Sequence, residues 1–168
     1  MAQTQFKGTP VQLVGELPTV GTKAPEFVLS RNDLSDATLA DFVGKRVVLN
    51  IVPSLDTPVC LSSLRRFNEA AAALENTAVL TVSRDLPFAQ SRSCAAEGID
   101  KALTLSQFRD EGFGKAYGVT MADGPLRGLF ARAVLVLDEK GVVVDAQLVP
   151  EIAQEPDYDR AISALQAR

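Results

Sequence analysis

The hydrophobic pattern of the chain divides into short continuous apolar runs and longer amphipathic stretches. Residues 46–52 (RVVLNIV) and 78–82 (AVLTV) are rich in β-branched side chains and almost uniformly apolar, as expected of strands covered on both faces. Between them, residues 58–74 read as a helix, with Pro58 suited to the first helical position and Thr57 to the N-cap. Strand, helix and strand make a βαβ unit, and the right-handed crossover requires the two strands to be parallel. Residues 133–137 and 142–148 read as two more strands. The DEKG between them (138–141) is a tight turn, so this pair is antiparallel. Further helices are predicted from Pro87 and from near Asp157. Residues 4–14 alternate loosely around Gly8 and Pro10, which predicts an N-terminal hairpin decorating the main sheet. The expected class is α/β, a mixed central sheet flanked by helices. With no internal repeat, linker or low-complexity stretch, residues 1–168 read as one domain.

Composition narrows the function by exclusion. The net charge is −4 and the pI about 4.9, so the broad positive field that recruits nucleic acid or anionic lipid is missing, and neither is an expected partner. Residues 1–15 lack the basic start and apolar run of a secretory signal, and no stretch is long enough to span a bilayer, so the expected location is cytoplasmic. Two cysteines are too few for a disulfide scaffold, and any chemistry they perform would be reversible redox. The chain contains no histidine, which removes Ser-His-Asp and Cys-His catalysis, the HExxH zinc site and histidine-ligated haem. Gly112 and Gly114 begin a GxG, but Tyr117 stands where a dinucleotide fingerprint needs its last glycine. Glu151, Glu155, Asp157 and Asp159 are read as capping and solvating a helix start. Neither a metal nor a cofactor is expected.

The candidate chemistry sits where the first buried strand passes into the helix, in PSLDTPVC (53–60). Cys60 falls in the helix's first turn, where unpaired backbone N–H groups and the positive end of the helix dipole favour a thiolate. As a lone cysteine Cys60 is more readily read as a small buried hydrophobe, as most intracellular cysteines are.

PxxxTxxC, here Pro53, Thr57 and Cys60 after a buried strand, resembles the active-site motif of the peroxiredoxins. SRDLPFAQSRSC (83–94) is similar to the thiol peroxidase subgroup of that family. The likeness continues through the N-terminal hairpin, ADGP (122–125), ARAV (131–134) and EPDY (155–158). One position departs from it: Ser93 stands where the subgroup usually has an aromatic residue. The resemblance implies a thioredoxin-like fold and a cofactor-free peroxidase acting on hydrogen peroxide and organic hydroperoxides. Cys60 would be the peroxidatic cysteine, oxidised to a sulfenic acid, and Cys94 the resolving cysteine that closes an intramolecular disulfide, recycled by thioredoxin. It further implies that Thr57 holds the thiolate and peroxide by hydrogen bonds, that Pro53 shields the thiolate, that Arg132 supplies a cation, and that the protein is a homodimer. Both thiols lie on predicted helices, so a disulfide between them calls for local unwinding.

Thiolate formation alone cannot carry such a rate. A thiol of lower pKa gains thiolate at neutral pH but loses nucleophilicity with a Brønsted slope of ~0.4–0.5, so the two effects largely offset. Stabilisation of the breaking O–O bond must come from surrounding groups. One helical turn from Cys60 stands Leu64, so a cation has to arrive from elsewhere in the fold. Two other functions have to be weighed. A thioredoxin-like disulfide reductase needs a CxxC, but Ser63 occupies its second position. A redox-switched binding or chaperone module could use the same disulfide.

Overall fold

The computed structural model of the protein describes residues 2–166. Its central sheet has seven strands in the order β4-β3-β7-β6-β5-β8-β9: β3 (Val28–Ser30), β4 (Asp36–Thr38), β5 (Arg46–Ile51), β6 (Thr77–Ser83), β7 (Leu103–Ser106), β8 (Ala133–Leu137) and β9 (Val143–Leu148). β5, β6 and β7 are parallel, whereas β8 lies antiparallel to β5 and β9 to β8, which makes the sheet mixed as the sequence predicts. β1 (Gln3–Phe6) and β2 (Thr9–Gln12) form the expected hairpin as a separate two-stranded sheet. The short elements β3, β4, β7 and α3 (Gly112–Ala116) are additions to the sequence reading. At three to five residues each, they are too short to display a hydrophobic period.

Alternation along the central strands separates two cores. Val47, Leu49 and Ile51 of β5 face Phe113, Tyr117 and Phe130 on one side of the sheet. Val48 and Val52 face the other side, where α1 (Pro58–Ala73) and α4 (Tyr158–Gln166) bury Leu64, Phe67, Tyr158, Ala161 and Leu165. Phe67 and Tyr158 meet edge to face, ring centroids 5.3 Å apart, and so fasten α1 to α4.

α2 (Pro87–Glu97) lies beside α1 on that face and is fastened differently. Only Pro87 and Gln90 of this helix are buried. Gln90 Nε2 donates to Ser83 Oγ at 3.0 Å and to the Leu105 carbonyl at 2.8 Å. Beneath α1 and α2 the strands present Asn50, Thr81, Ser83, Thr104 and Ser106, all buried, instead of the apolar residues of the opposite face. A polar seam thus underlies both cysteine-bearing helices.

The hairpin docks on the segment after β9. Thr4 Oγ1 donates to the Val149 carbonyl, Gln5 N to that of Pro150, and Ile152 N to that of Gln5, each at 2.9 Å. At the hairpin's turn, the N–H groups of Lys7 and Gly8 converge on the Glu151 carboxylate. Lys7 and Gly8 both have positive φ, 52° and 81°, a conformation glycine adopts freely and lysine only under tertiary constraint.

Truncation of Phe67 to Ala should cost about 3–5 kcal/mol, because the cavity would open at the α1–α4 junction where both helices are fixed. Urea denaturation of both proteins measures it.

Candidate active site

Strand β5 ends at Ile51 and buried Val52 and Pro53 carry the chain to the head of α1. Thr57 is the N-cap: its backbone is extended (φ −106°, ψ 147°) and its Oγ1 accepts from Cys60 N at 3.3 Å. The same hydroxyl donates to the Ser54 carbonyl at 3.2 Å, so it braces the loop as well as the helix. Cys60, third residue of α1, is fully buried. Its carbonyl accepts from Ser63 Oγ at 2.9 Å, and Asn50 Nδ2 in turn donates to Ser63 Oγ at 3.3 Å, which ties the first turn to the polar seam.

The partner of the Cys60 sulfur comes from 72 positions away. Arg132 Nη1 donates to Sγ at 3.2 Å, and Arg132 Nε donates to the Ile152 carbonyl at 2.9 Å. Arg132 stands immediately before β8 and is 1% exposed, so it does not face water as a strand-end arginine ordinarily would. Among the described residues its guanidinium forms no ion pair with a carboxylate. A buried cation requires electrostatic compensation, and the sulfur is the group this one faces. These bonds use two of the five N–H donors of a guanidinium. The remainder are of the kind that can meet a second acceptor beside the sulfur.

The Ile152 carbonyl that steadies Arg132 belongs to the segment held by the N-terminal hairpin. The hairpin is therefore linked to the site through the backbone bond from Ile152 N to Gln5 O. Sequence reasoning missed this link, and also Ser54 and Asp85, which brace the loop. Their names lie inside the quoted motifs, but no periodic or spacing signal distinguishes their roles. Of the acidic run, Asp157 caps the start of α4 as anticipated, its Oδ1 accepting from Arg160 N at 3.0 Å, and Glu155 accepts from Tyr158 Oη at 3.0 Å; Glu151 departs from that reading and takes the distant hairpin turn.

Cys94 is half-buried, eighth residue of α2, and lines a cleft of about 340 Å³ with Arg31, Asn32, Asp33 and Thr104. Its sulfur lies 3.7 Å from Thr104 Oγ1, which donates to Asn32 Oδ1 at 3.0 Å. Both thiols are free. Cys60 is third in its helix and Cys94 eighth in its own, and both helices start at the same edge of the parallel strands. The difference of five residues amounts to roughly 7 Å along the axes, added to a helix separation of about 8–10 Å. A disulfide requires Cα atoms within about 7 Å. The helices as folded keep the two sulfurs apart.

A mixed sheet carrying one thiol buried against an arginine, and a second thiol on the adjacent helix, defines a cysteine-based redox protein. The Redoxin family matches residues 19–162. A thiol peroxidase of Mycobacterium tuberculosis is 54% identical over 167 residues, covering 99% of this chain and 100% of that protein. A crystal structure of a peroxiredoxin-like protein from Aquifex aeolicus superimposes with a TM-score of 0.94 at 41% identity, covering 99% of this chain and 97% of that one. The fold is shared more distantly with a thiol peroxidase from Chromobacterium violaceum, at 23% identity and TM-score 0.90 over 98% and 95% of the two chains. The chain belongs to the Redoxin family, as a peroxiredoxin-type oxidoreductase of the thiol peroxidase group.

Burial pushes the Cys94 thiol above its ordinary range, and the Thr104 hydrogen bond opposes that shift less strongly. In a Cys60→Ser variant, alkylation of Cys94 should therefore be slow at neutral pH and climb with pH beyond the usual thiol range near ~8.5. Thr104→Val should slow it further at any fixed pH. A rate already at its plateau at neutral pH would contradict the assignment.

Proposed function

We propose that the protein reduces hydrogen peroxide and organic hydroperoxides through Cys60, resolves the product through Cys94, and is recycled by thioredoxin. The observation that carries this reading is the 3.2 Å contact from Arg132 Nη1 to the buried Cys60 sulfur. The Cys60 thiolate attacks one oxygen of ROOH; an S–O bond forms, the O–O bond breaks, and the departing oxygen leaves as ROH after taking a proton. Sulfur is oxidised by two electrons and the peroxide reduced by two. Charge grows on the departing oxygen in the transition state, where the unused donors of Arg132 stabilise it. Thr57 already has its hydroxyl at the first turn, and rotation away from the Ser54 carbonyl would let it donate to sulfur or peroxide. Pro53, buried beside the loop, keeps water from the thiolate.

The Cys94 thiol then attacks the sulfenic sulfur; the S–S bond forms and water leaves. The separation of the cysteines supports an intermediate in which the head of α1, α2 or both unwind. α2 is the weaker of the two, with two buried residues against four in α1. A thioredoxin dithiol restores both thiols by exchange. We read the whole chain as one domain working in the cytoplasm as a homodimer. Exposed Leu86 and Phe88, beside the active-site loop at the head of α2, offer an apolar surface for the second copy.

Peroxide-dependent oxidation of thioredoxin and its reductase tests the cycle. Wild type should turn over repeatedly, Cys60→Ser not at all, and Cys94→Ser for one equivalent only. Arg132→Lys should lose about a hundredfold or more, since an ammonium cannot bond sulfur, the Ile152 carbonyl and peroxide with one planar fork. Turnover by Cys60→Ser would refute the reading, and near-normal turnover by Arg132→Lys would remove Arg132 from it. Wild-type consumption that stops at one equivalent with reductant in excess would favour a redox-switched binding module.

A further inference from the structure

The loop that carries Thr57 and Cys60 is gripped by one carboxylate. Asp85 Oδ1 accepts from Ser54 Oγ at 2.9 Å, and Asp85 Oδ2 accepts from Leu55 N at 2.8 Å and from Ser83 Oγ at 2.8 Å. From Ser54 the chain of bonds runs directly to the reactive cysteine: the Ser54 carbonyl accepts from Thr57 Oγ1, which accepts from Cys60 N. In the other direction Ser83 Oγ accepts from Gln90 Nε2, one of the few attachments of α2 to the sheet. The Asp85 carbonyl accepts from Ser106 Oγ, and Asp85 N donates to Ser83 Oγ at 3.2 Å, so the residue is itself fixed between β6 and β7. Every donor that reaches this carboxylate among the described residues belongs either to the Cys60 loop or to the strand end from which α2 departs.

We propose that Asp85 is a positioning residue, a clasp that holds the Cys60 loop and the head of α2 together in the peroxide-reactive arrangement and must open before the disulfide can form. This rests on the peroxidase reading above. Hydrogen bonds to a carboxylate are stronger than neutral ones, so Asp85 is the main polar hold on a loop whose apolar hold is the buried side chain of Leu55. Two predictions of opposite sign follow for the two steps of the reaction. Weakening the clasp disorders Thr57 and the first turn, which slows attack on peroxide. The same change populates the opened loop, from which Cys94 reaches the sulfenic sulfur with loss of water, and speeds disulfide formation. A side chain that merely stabilised the fold would not accelerate either step.

The test uses Asp85→Asn and, as a milder change that leaves the carboxylate intact, Ser54→Ala. Oxidation of Cys60 is followed alone in a Cys94→Ser background, and disulfide formation is followed with both cysteines present. Hydrogen exchange is measured on the reduced proteins in residues 54–62 and in β8. Asp85→Asn should slow the first step, speed the second by roughly tenfold, and speed exchange in residues 54–62 by a similar factor while β8 stays protected, the equivalent of one charge-assisted bond. Ser54→Ala should shift all three in the same directions by less. A second step unchanged or slowed in both variants, or protection lost equally in β8, overturns the clasp. A wild-type chain that does not turn over peroxide refutes the peroxidase reading instead, and exchange in residues 54–62 still decides whether Asp85 holds the loop.

Discussion

The structure is organised around a single burial problem, a guanidinium placed out of water that forms no ion pair with a carboxylate among the described residues. Arg132 is fixed on one side by the Ile152 carbonyl and on the other by the Cys60 sulfur. That arrangement needs the first turn of α1, the start of β8, and the segment after β9, three places brought together only when β5, β8 and β9 pair in register. It also gives the N-terminal hairpin a purpose beyond decoration. By bonding Val149, Pro150 and Ile152, the hairpin fixes the carbonyl that orients the guanidinium. The guanidinium is therefore preorganised by the fold as a whole, whereas the Thr57 hydroxyl, bonded to the Ser54 carbonyl, has to turn before it can donate at the site.

Against that rigid centre stands a helix held lightly. α1 is packed by Leu64, Phe67 and the ring of Tyr158, whereas α2 relies on Gln90 and a polar strand surface. Hydrogen bonds to a polar seam can be exchanged for water at small net cost, unlike apolar packing. Ser93, where the resemblance to the subgroup expects an aromatic side chain, gives α2 no additional apolar anchor. On the proposed cycle the contrast places stability where peroxide is met and softness where Cys94 would have to move, so that one fold could serve two steps with incompatible geometries.

Much of this was legible in the sequence, and the remainder fails to appear for identifiable reasons. The uniform apolar runs of β5 and β6 fix the parallel pair, and Thr57-Pro58 fixes the start of α1, because those signals are local. The helix ends at Ala73 and β9 begins at Val143, each within one residue of the pattern's prediction. β3, β4 and β7 escape because strands this short carry no period, and they exist only by pairing with neighbours. Arg132 is named by resemblance, but its burial is a tertiary property: nothing in its local sequence before β8 distinguishes it from an arginine facing water. Asp85 and Ser54 are harder still, since their meaning lies in bonds to each other across 31 positions.

The central claim is that the surroundings of Cys60 act on the breaking O–O bond more than on the thiolate itself. It is tested most directly by comparing two electrophiles on Cys60 in the Cys94→Ser protein, hydrogen peroxide and a simple alkylating agent, each referenced to a small-molecule thiolate at the same pH. On the proposed mechanism Arg132 and Thr57, both bonded to Cys60, serve a departing oxygen and have nothing comparable to offer an alkylating agent. Cys60 should exceed the reference by orders of magnitude with peroxide and by little or nothing with the alkylating agent. Acceleration by the same factor for both would contradict the account, because it would mean that thiolate activation alone makes this cysteine reactive.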